Sequence, residues 1–564
     1  LGNEHMRILK QLAIRAGMKV PIYTATGWGN AAVIENASLP VASAYPYPTW
    51  ADKSLSPLYL YKHLQQSPDY APVRYNPEDY PYIAAEIGGG IMDRYNRRPV
   101  VPAKSLDALI NRFLGSGANG IGYYMYHGGS TPKGDEFFFN DEAYGYPKIS
   151  YDFQAPVGEY GQIRPSFNRL KLLHYFMQAF GDQLAPEQVV LPQQNVNDPD
   201  NLDQLRFSIR KKGDAGFVFM NNFQDHAENQ DLKGLSVTLQ TAKGDIRIPE
   251  KDGFTLAKDE NIIFPFNFSL DGVNLIYATA QPLTSFSNGG IIYYVFFVPE
   301  GITPQFSLDK QKDVTYRKEN CTLDEYNDHL LISCKDDKPA EFTIKKSETT
   351  IKVLIINKKQ ALKTWLTGMP GNQKLLFSDA TVLEENGFMK FLSRNNPEIK
   401  FSVYPAGDYL ASGNSTNPEK LDNVNSLYTS FRIMLDPFDP EIKTEKVNDN
   451  KFAVKLPDRI PEDVDNVLLD IDYTGDTGMG FIDGELIADN FYNGLTWEIG
   501  LRKFMQNPGK QQMTFYFRPM YKDASYLQDL PREKIPAFKG DKFLKINNIQ
   551  FVPVYSTLLE IKQK

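Results

Sequence analysis

The period of the hydrophobic positions changes once along this chain. Up to about residue 182, short apolar runs alternate with stretches of helical spacing. Met6, Leu9, Leu12, Ala13 and Ala16 recur at intervals of three and four, which predicts a helix over 5–16 ended by Gly17. Residues 20–24 and 41–45 read as strands. Pro57 to Gln65 reads as a helix with Ser56 as N-cap and proline at its first position. A third strand is expected over 82–87, a helix over 105–114 with Ser105 as N-cap, a fourth strand over 120–126 and a helix over 166–180. After about residue 185 the pattern turns to short β-runs such as 205–210, 216–220, 235–239 and 291–298, separated by Asn, Asp, Gly and Lys turns.

Strands that alternate with helices at this spacing imply βα units and a parallel sheet. Four such strands with long loops after their C-terminal ends match half of a (β/α)8 TIM barrel. Half a barrel leaves two long apolar edges unpaired. Four further strands are therefore expected from a segment ahead of Leu1 or from another chain. The segments read as 1–182, the second half of a barrel; 183–300, a β-rich domain; 301–425, sandwich-like; and 426–564, a final β-block.

Within this frame one stretch carries chemistry. Tyr82-Ile-Ala-Ala-Glu-Ile-Gly-Gly-Gly90 is an apolar strand that delivers Glu86 to a glycine-lined mouth. The C-terminal end of a buried parallel strand is where a barrel keeps its reacting groups. The plainer reading is a strand-capping glutamate paired with Arg94, Arg97 or Arg98, which follow it.

Composition narrows the classes. With 564 residues, 42% hydrophobic and 23% charged, the chain is ordinary for a globular protein of three or four domains. A net charge of −8 argues against a nucleic-acid binder. No apolar run reaches the ~20 residues of a membrane span. Aromatics stand at 13%, with 32 Tyr and 36 Phe, which suits both β-structure and sugar stacking. The two cysteines, Cys321 and Cys334, exclude thiolate zinc sites. They read as a disulfide across one hairpin or as two buried free thiols. No cluster of His and carboxylates suggests a metal, and no cofactor is expected.

Several extended motifs follow in a specific order. Val20-Pro-Ile-Tyr-Thr-Ala-Thr-Gly-Trp28 precedes the Glu86 strand. Gly115-Ser-Gly-Ala-Asn119, Gly122-Tyr-Tyr-Met-Tyr-His-Gly-Gly129 and Ser150-Tyr-Asp-Phe-Gln-Ala-Pro-Val-Gly-Glu-Tyr-Gly161 come after it. Together they resemble the second half of the catalytic barrel of family 35 glycoside hydrolases, the β-galactosidase family. The resemblance implies a retaining, exo-acting β-galactosidase, with Glu86 as nucleophile at the end of the seventh strand. It implies an acid/base glutamate in an Asn-Glu motif after the fourth strand, upstream of Leu1. Asn3-Glu4 is a poor candidate for that motif, because Glu4 abuts a helix whose dipole accounts for it. Tyr124 and Tyr151 are implied as sugar contacts. Trp28 and Trp50 could stack on sugar faces or pack within loops, and His127 reads better as structural.

Residues 206–222 resemble the β-domain that follows this barrel. The final block, with Asp472-Tyr-Thr-Gly-Asp-Thr-Gly-Met-Gly-Phe-Ile-Asp-Gly484, resembles a galactose-binding-like jelly roll that braces the barrel. The implied partner is a β-galactoside oligo- or polysaccharide, and the implied location is periplasmic, cell-surface or extracellular. A sister exo-β-glycosidase and a non-catalytic carbohydrate-binding or scaffold protein are the alternatives.

Overall fold

The computed structural model describes residues 2–23, 33–35, 37–47, 54–70, 72–135, 145–311, 314–335, 337–413, 416–422, 425–505 and 512–563. Trp28 and Trp50 lie outside them. The chain forms two compact units, and each takes its residues from separate lengths of sequence. The first comprises 1–90, 102–126 and 165–362; the second comprises 91–101, 127–164 and 363–564.

In the first unit, α1 spans Gly2–Arg15. It matches the predicted helix, yet none of its side chains is buried, and Ile8, Leu9, Leu12 and Ile14 are exposed. Glu4 lies in its first turn, 3.8 Å from Arg7. Three parallel strands follow: β1 (Ala42–Ala44), β2 (Ile83–Ile87) and β3 (Gly120–Tyr123). Where the first strand was expected, an isolated parallel bridge joins Tyr23 to Leu39. Among the described residues the parallel sheet therefore has three strands.

α2 (Ala103–Gly115) and α3 (Pro165–Leu184) pack against each other; α2 also packs on the strands Arg206–Lys212, Ala215–Asn221 and Asn261–Leu270, and α3 on Gln281–Asn288. α2 starts after Pro102, so Ser105 is not its N-cap. The Ser105 hydroxyl is buried 2.6 Å from the Tyr59 hydroxyl instead. The helix predicted over 57–65 shrinks to one 3-10 turn, Pro57–Tyr59, although Ser56 does cap it by accepting from the Leu58 amide. The physical reason lies in the neighbours. The carbonyls of Leu60 and Tyr61 are taken by the side chains of Arg112 and Asn195. The amides of Lys62 and Leu64 go to the Ser116 hydroxyl and carbonyl. With those backbone groups satisfied by α2 and its surroundings, no helical ladder is needed.

The rest of this unit is β-structure. Among the described residues an eight-stranded sheet collects strands from Gln188–Val190 to His329–Cys334, and a five-stranded sheet collects strands between Gln281 and Asn357. Strand pairing thus continues across position 300; Ile291–Val298, for example, pairs in parallel with Thr349–Asn357. Cys321 and Cys334 face each other across antiparallel strands and form a disulfide. It closes a loop of 13 residues. Loop entropy sets its contribution at about 3 kcal/mol. Denatured, unreduced protein is expected to show no titratable thiol, and reduction to lower the unfolding midpoint of this unit; two reactive thiols would refute the pairing.

In the second unit, Lys545–Gln563 is the central strand. It pairs with Phe388–Arg394, Tyr409–Gly413 and Val464–Thr474. A five-stranded sheet runs in the order Lys443–Asn448, Lys451–Lys455, Gln512–Phe517, Thr477–Ile482, Glu485–Phe491. The arginines that follow the Glu86 strand are engaged here. Arg97 meets Asp529 at 3.0 Å and Arg98 meets Asp476 at 2.6 Å, so the pairing expected between Glu86 and one of these two is not what they form. Arg94 lies over the Tyr146 ring.

Asp93 sits beside this cluster. One carboxyl oxygen accepts from Asn493 at 2.9 Å; the other is buried without a partner among the described residues. Burial pushes Asp93 up to about 8, against the attraction of Arg98 and the Asn493 hydrogen bond. Between its ordinary value of 3.8 and about 8, the native state holds a proton that the unfolded chain has released. Stability is therefore expected to fall as pH rises through that window, with a slope approaching ~1.4 kcal/mol per unit. Asp93→Asn should flatten the decline in Tm; an unchanged pH profile would show that Asp93 titrates normally.

Candidate active site

Glu86 is the penultimate residue of β2, and its register partner on β1 is Ser43. Beyond the strand ends the backbone stays tied together. The Gly88 amide donates to the Ala44 carbonyl at 2.9 Å, the Gly89 amide to the Tyr124 carbonyl at 3.3 Å, and the Tyr124 amide to the Ile87 carbonyl at 2.8 Å. The C-terminal ends of three neighbouring strands thus form one rigid rim, and the Glu86 carboxylate stands on it.

Tyr45, the residue after β1, supplies the principal contact. Its hydroxyl donates to Glu86 Oε1 at 3.0 Å and lies 3.2 Å from the Tyr124 carbonyl. One O–H cannot serve both acceptors at once; the carboxylate is the stronger acceptor. Tyr47, two residues on, donates to the Gly88 carbonyl at 3.1 Å and anchors the glycine turn. Tyr70 completes the surroundings: burial raises its hydroxyl to about 12, with further contributions from Asp69 and Glu86.

The glycines have steric reasons. A Cβ at Gly88 would lie 2.5 Å from the Tyr45 ring, and one at Gly122 would lie 2.9 Å from the Ala85 carbonyl. Gly88→Ala is expected to push Tyr45 off Glu86 and to reduce turnover about 10–10²-fold, the scale of one charge-assisted hydrogen bond. Near-wild-type turnover in a folded variant would show that the tyrosine contact is dispensable.

Tyr124 was expected on the fourth strand, but β3 ends at Tyr123 and Tyr124 lies in the turn that follows, 40% exposed. Its backbone, through the two hydrogen bonds above, holds the rim. Tyr123 is half-buried, with its hydroxyl 2.8 Å from His174 Nε2. Tyr151 belongs to the second unit. There β4 (Gly129–Ser130) and β5 (Ser150–Tyr151) pair antiparallel, and Tyr151 stacks on Phe153 at 5.8 Å. Asp489 fixes this loop by accepting the amides of Lys148, Ile149 and Ser150. His127 contacts the Gly128 carbonyl and bridges to Val157, a structural setting.

The structure thus gathers Glu86, Tyr45, Tyr70 and the Tyr124 backbone. Tyr45 was read only as the end of a strand. The signal was available: parallel neighbours end together, so the residue after β1 falls beside the C-terminal end of β2.

Residues 9–177 match the model of glycosyl hydrolases family 35, and residues 200–363 match that of β-galactosidase domain 2. Both matches, with the β-galactosidase relatives below, support a family 35 glycoside hydrolase over these segments.

Among curated relatives, β-galactosidase 10 of Arabidopsis thaliana is 36% identical over 101 residues, covering 18% of this chain and 13% of that protein. Probable β-galactosidase B of Penicillium rubens is 20% identical over 360 residues, covering 62% of this chain and 34% of the relative. The chain thus spans well under half the length of either. A solved gamma-CGTase from Alkalophilic bacillus clarkii aligns with 67% of this chain and 50% of its own at 13% identity, with a TM-score of 0.20.

Proposed function

We propose that this chain carries the nucleophile-bearing part of a retaining, exo-acting β-galactosidase that removes terminal β-galactosyl residues from oligo- or polysaccharides. The observation that supports this most is the Glu86 carboxylate at the C-terminal end of a parallel strand, held at 3.0 Å by Tyr45, within a segment that matches family 35. In this reading β1, β2 and β3 are the sixth to eighth strands of a (β/α)8 barrel. Residues 426–564 are a galactose-binding-like jelly roll.

Glu86 attacks the anomeric carbon and forms a galactosyl ester as the glycosidic bond breaks. A second carboxyl, about 5–5.5 Å away, protonates the leaving oxygen and then draws the proton from the water that cleaves the ester. By the family pattern that group follows the fourth strand. Tyr45 keeps the Glu86 oxygen aimed during both steps. Tyr124, Tyr151 and Trp28 are proposed to contact the sugar. The Cys321–Cys334 disulfide supports export to the periplasm, cell surface or medium, since such bonds persist in oxidising compartments.

An activated 2-deoxy-2-fluoro-β-galactoside tests the proposal. A stable adduct on the peptide that holds Glu86 would establish nucleophile and sugar class together. An adduct on another carboxylate would remove Glu86 from the mechanism, and an adduct formed only with a different fluorosugar would reassign the specificity.

A further inference from the structure

The second unit contains a groove of about 790 Å³, within the size range of ligand sites. One wall is the hairpin of Lys443–Asn448 and Lys451–Lys455; the other is the start of the strand Lys545–Gln563. Lys443–Asn448 is the edge strand of its sheet, and every side chain on it is exposed. A strand of a packed sandwich normally buries alternate residues. This one turns Thr444 and Lys446 into the groove.

The floor is apolar, with Phe452, Leu544 and Ile546 half-buried along it. The rim is basic. Lys446 pairs with Asp449 at 2.8 Å, but among the described residues Lys542 and Lys545 have no acidic partner. A local excess of positive charge stands out on a chain whose net charge is −8. Asn450 and Asn547 add amide oxygens, their Nδ2 groups donating to the Phe517 carbonyl and to Asp472 and Thr474.

We propose that this groove binds an anionic polysaccharide, whose sugars present carboxylate or sulfate groups. The apolar floor suits the C–H faces of sugar rings, the lysines pair with the acidic substituents, and the amides meet hydroxyls. A neutral glycan would leave the two lysines without a role. The site is independent of hydrolysis at Glu86, so either reading stands or falls without the other.

Affinity electrophoresis of the full chain in gels containing polygalacturonate, chondroitin sulfate or neutral galactan tests the inference, at about 50 mM salt and again at about 300 mM, where charge contacts are screened. Retardation by one or both acidic polymers is expected, weaker at high salt, and the pair distinguishes carboxylate from sulfate. The double variant Lys542→Glu/Lys545→Glu, which alters only half-exposed or exposed side chains, should weaken binding roughly tenfold or more. Phe452→Ala should weaken it several-fold at unchanged charge. Retardation by galactan equal to that by the acidic polymers, retardation that survives both variants, or none at low salt would overturn the proposal. Capture of an extended peptide on the edge strand in place of any glycan would do so as well.

Discussion

Glu86→Gln is expected to lower kcat on an aryl β-galactoside by at least ~10⁴-fold, with KM altered only a few-fold. The amide keeps the shape and the contact with Tyr45, so Tm should stay within about 2 °C of the wild type. In the proposed mechanism, what is lost is the electron pair that forms the galactosyl ester. Azide should restore part of the turnover of Glu86→Gly, where the missing side chain leaves room for a small anion to attack the anomeric carbon directly and give the inverted azide. Tyr45→Phe provides the graded comparison. It removes one charge-assisted hydrogen bond, about 1.5–3 kcal/mol, and should cost roughly 10–10²-fold without azide rescue. A Glu86→Gln variant with wild-type activity would sink the proposed mechanism; a folded, inactive Glu86→Gly that azide does not rescue would leave Glu86 a positioning group.

Arg98→Ala should be the most damaging change to stability. The Arg98 side chain is fully buried. Its guanidinium donates to Asp476 Oδ1 at 2.6 Å, to the Asp476 carbonyl at 2.7 Å and to the Tyr492 carbonyl at 3.2 Å, and it lies 3.6 Å over the Tyr526 ring. Its own amide donates to Asp529, which also receives Arg97. Truncation leaves the buried Asp476 carboxylate with the Tyr95 hydroxyl but without its guanidinium, and takes from the Tyr492 carbonyl the donor that Arg98 gave it. Removing one member of a buried ion pair costs about 3–5 kcal/mol. Denaturant unfolding should show that loss in the transition of the second unit. A loss below ~1 kcal/mol would mean that water replaces the guanidinium.

The Glu86 strand was legible because an apolar run ended by three glycines has few other readings. The α2 and α3 helices were legible for the same kind of reason, since their apolar positions follow one period. The 57–65 segment was not. Leu58, Tyr59, Leu60, Tyr61 and Leu64 fit helical spacing, but they are all buried, and side chains more than 40 positions away in sequence take up the backbone. Local pattern cannot show a partner at that distance. The fate of Arg97 and Arg98 was hidden similarly: nearness to Glu86 in sequence suggested a pair, while the actual acceptors lie about 380–430 positions further on. The paired cysteines were readable as an option, and only strand register decided between disulfide and thiols.

The interleaving of the two units along the chain bears on how such a protein can be altered. Residues 91–101 and 127–164 belong with 363–564, although each is bracketed by residues of the other unit. The second unit is therefore not a cassette. A gene fusion, a swap between relatives or a deletion with a single boundary near residue 363 would carry away the long β-strands and leave behind Arg97, Arg98 and the 148–150 loop that they hold. Inheritance and engineering alike must carry 91–101 and 127–164 along with 363–564, so that no single cut in the gene separates the second unit whole.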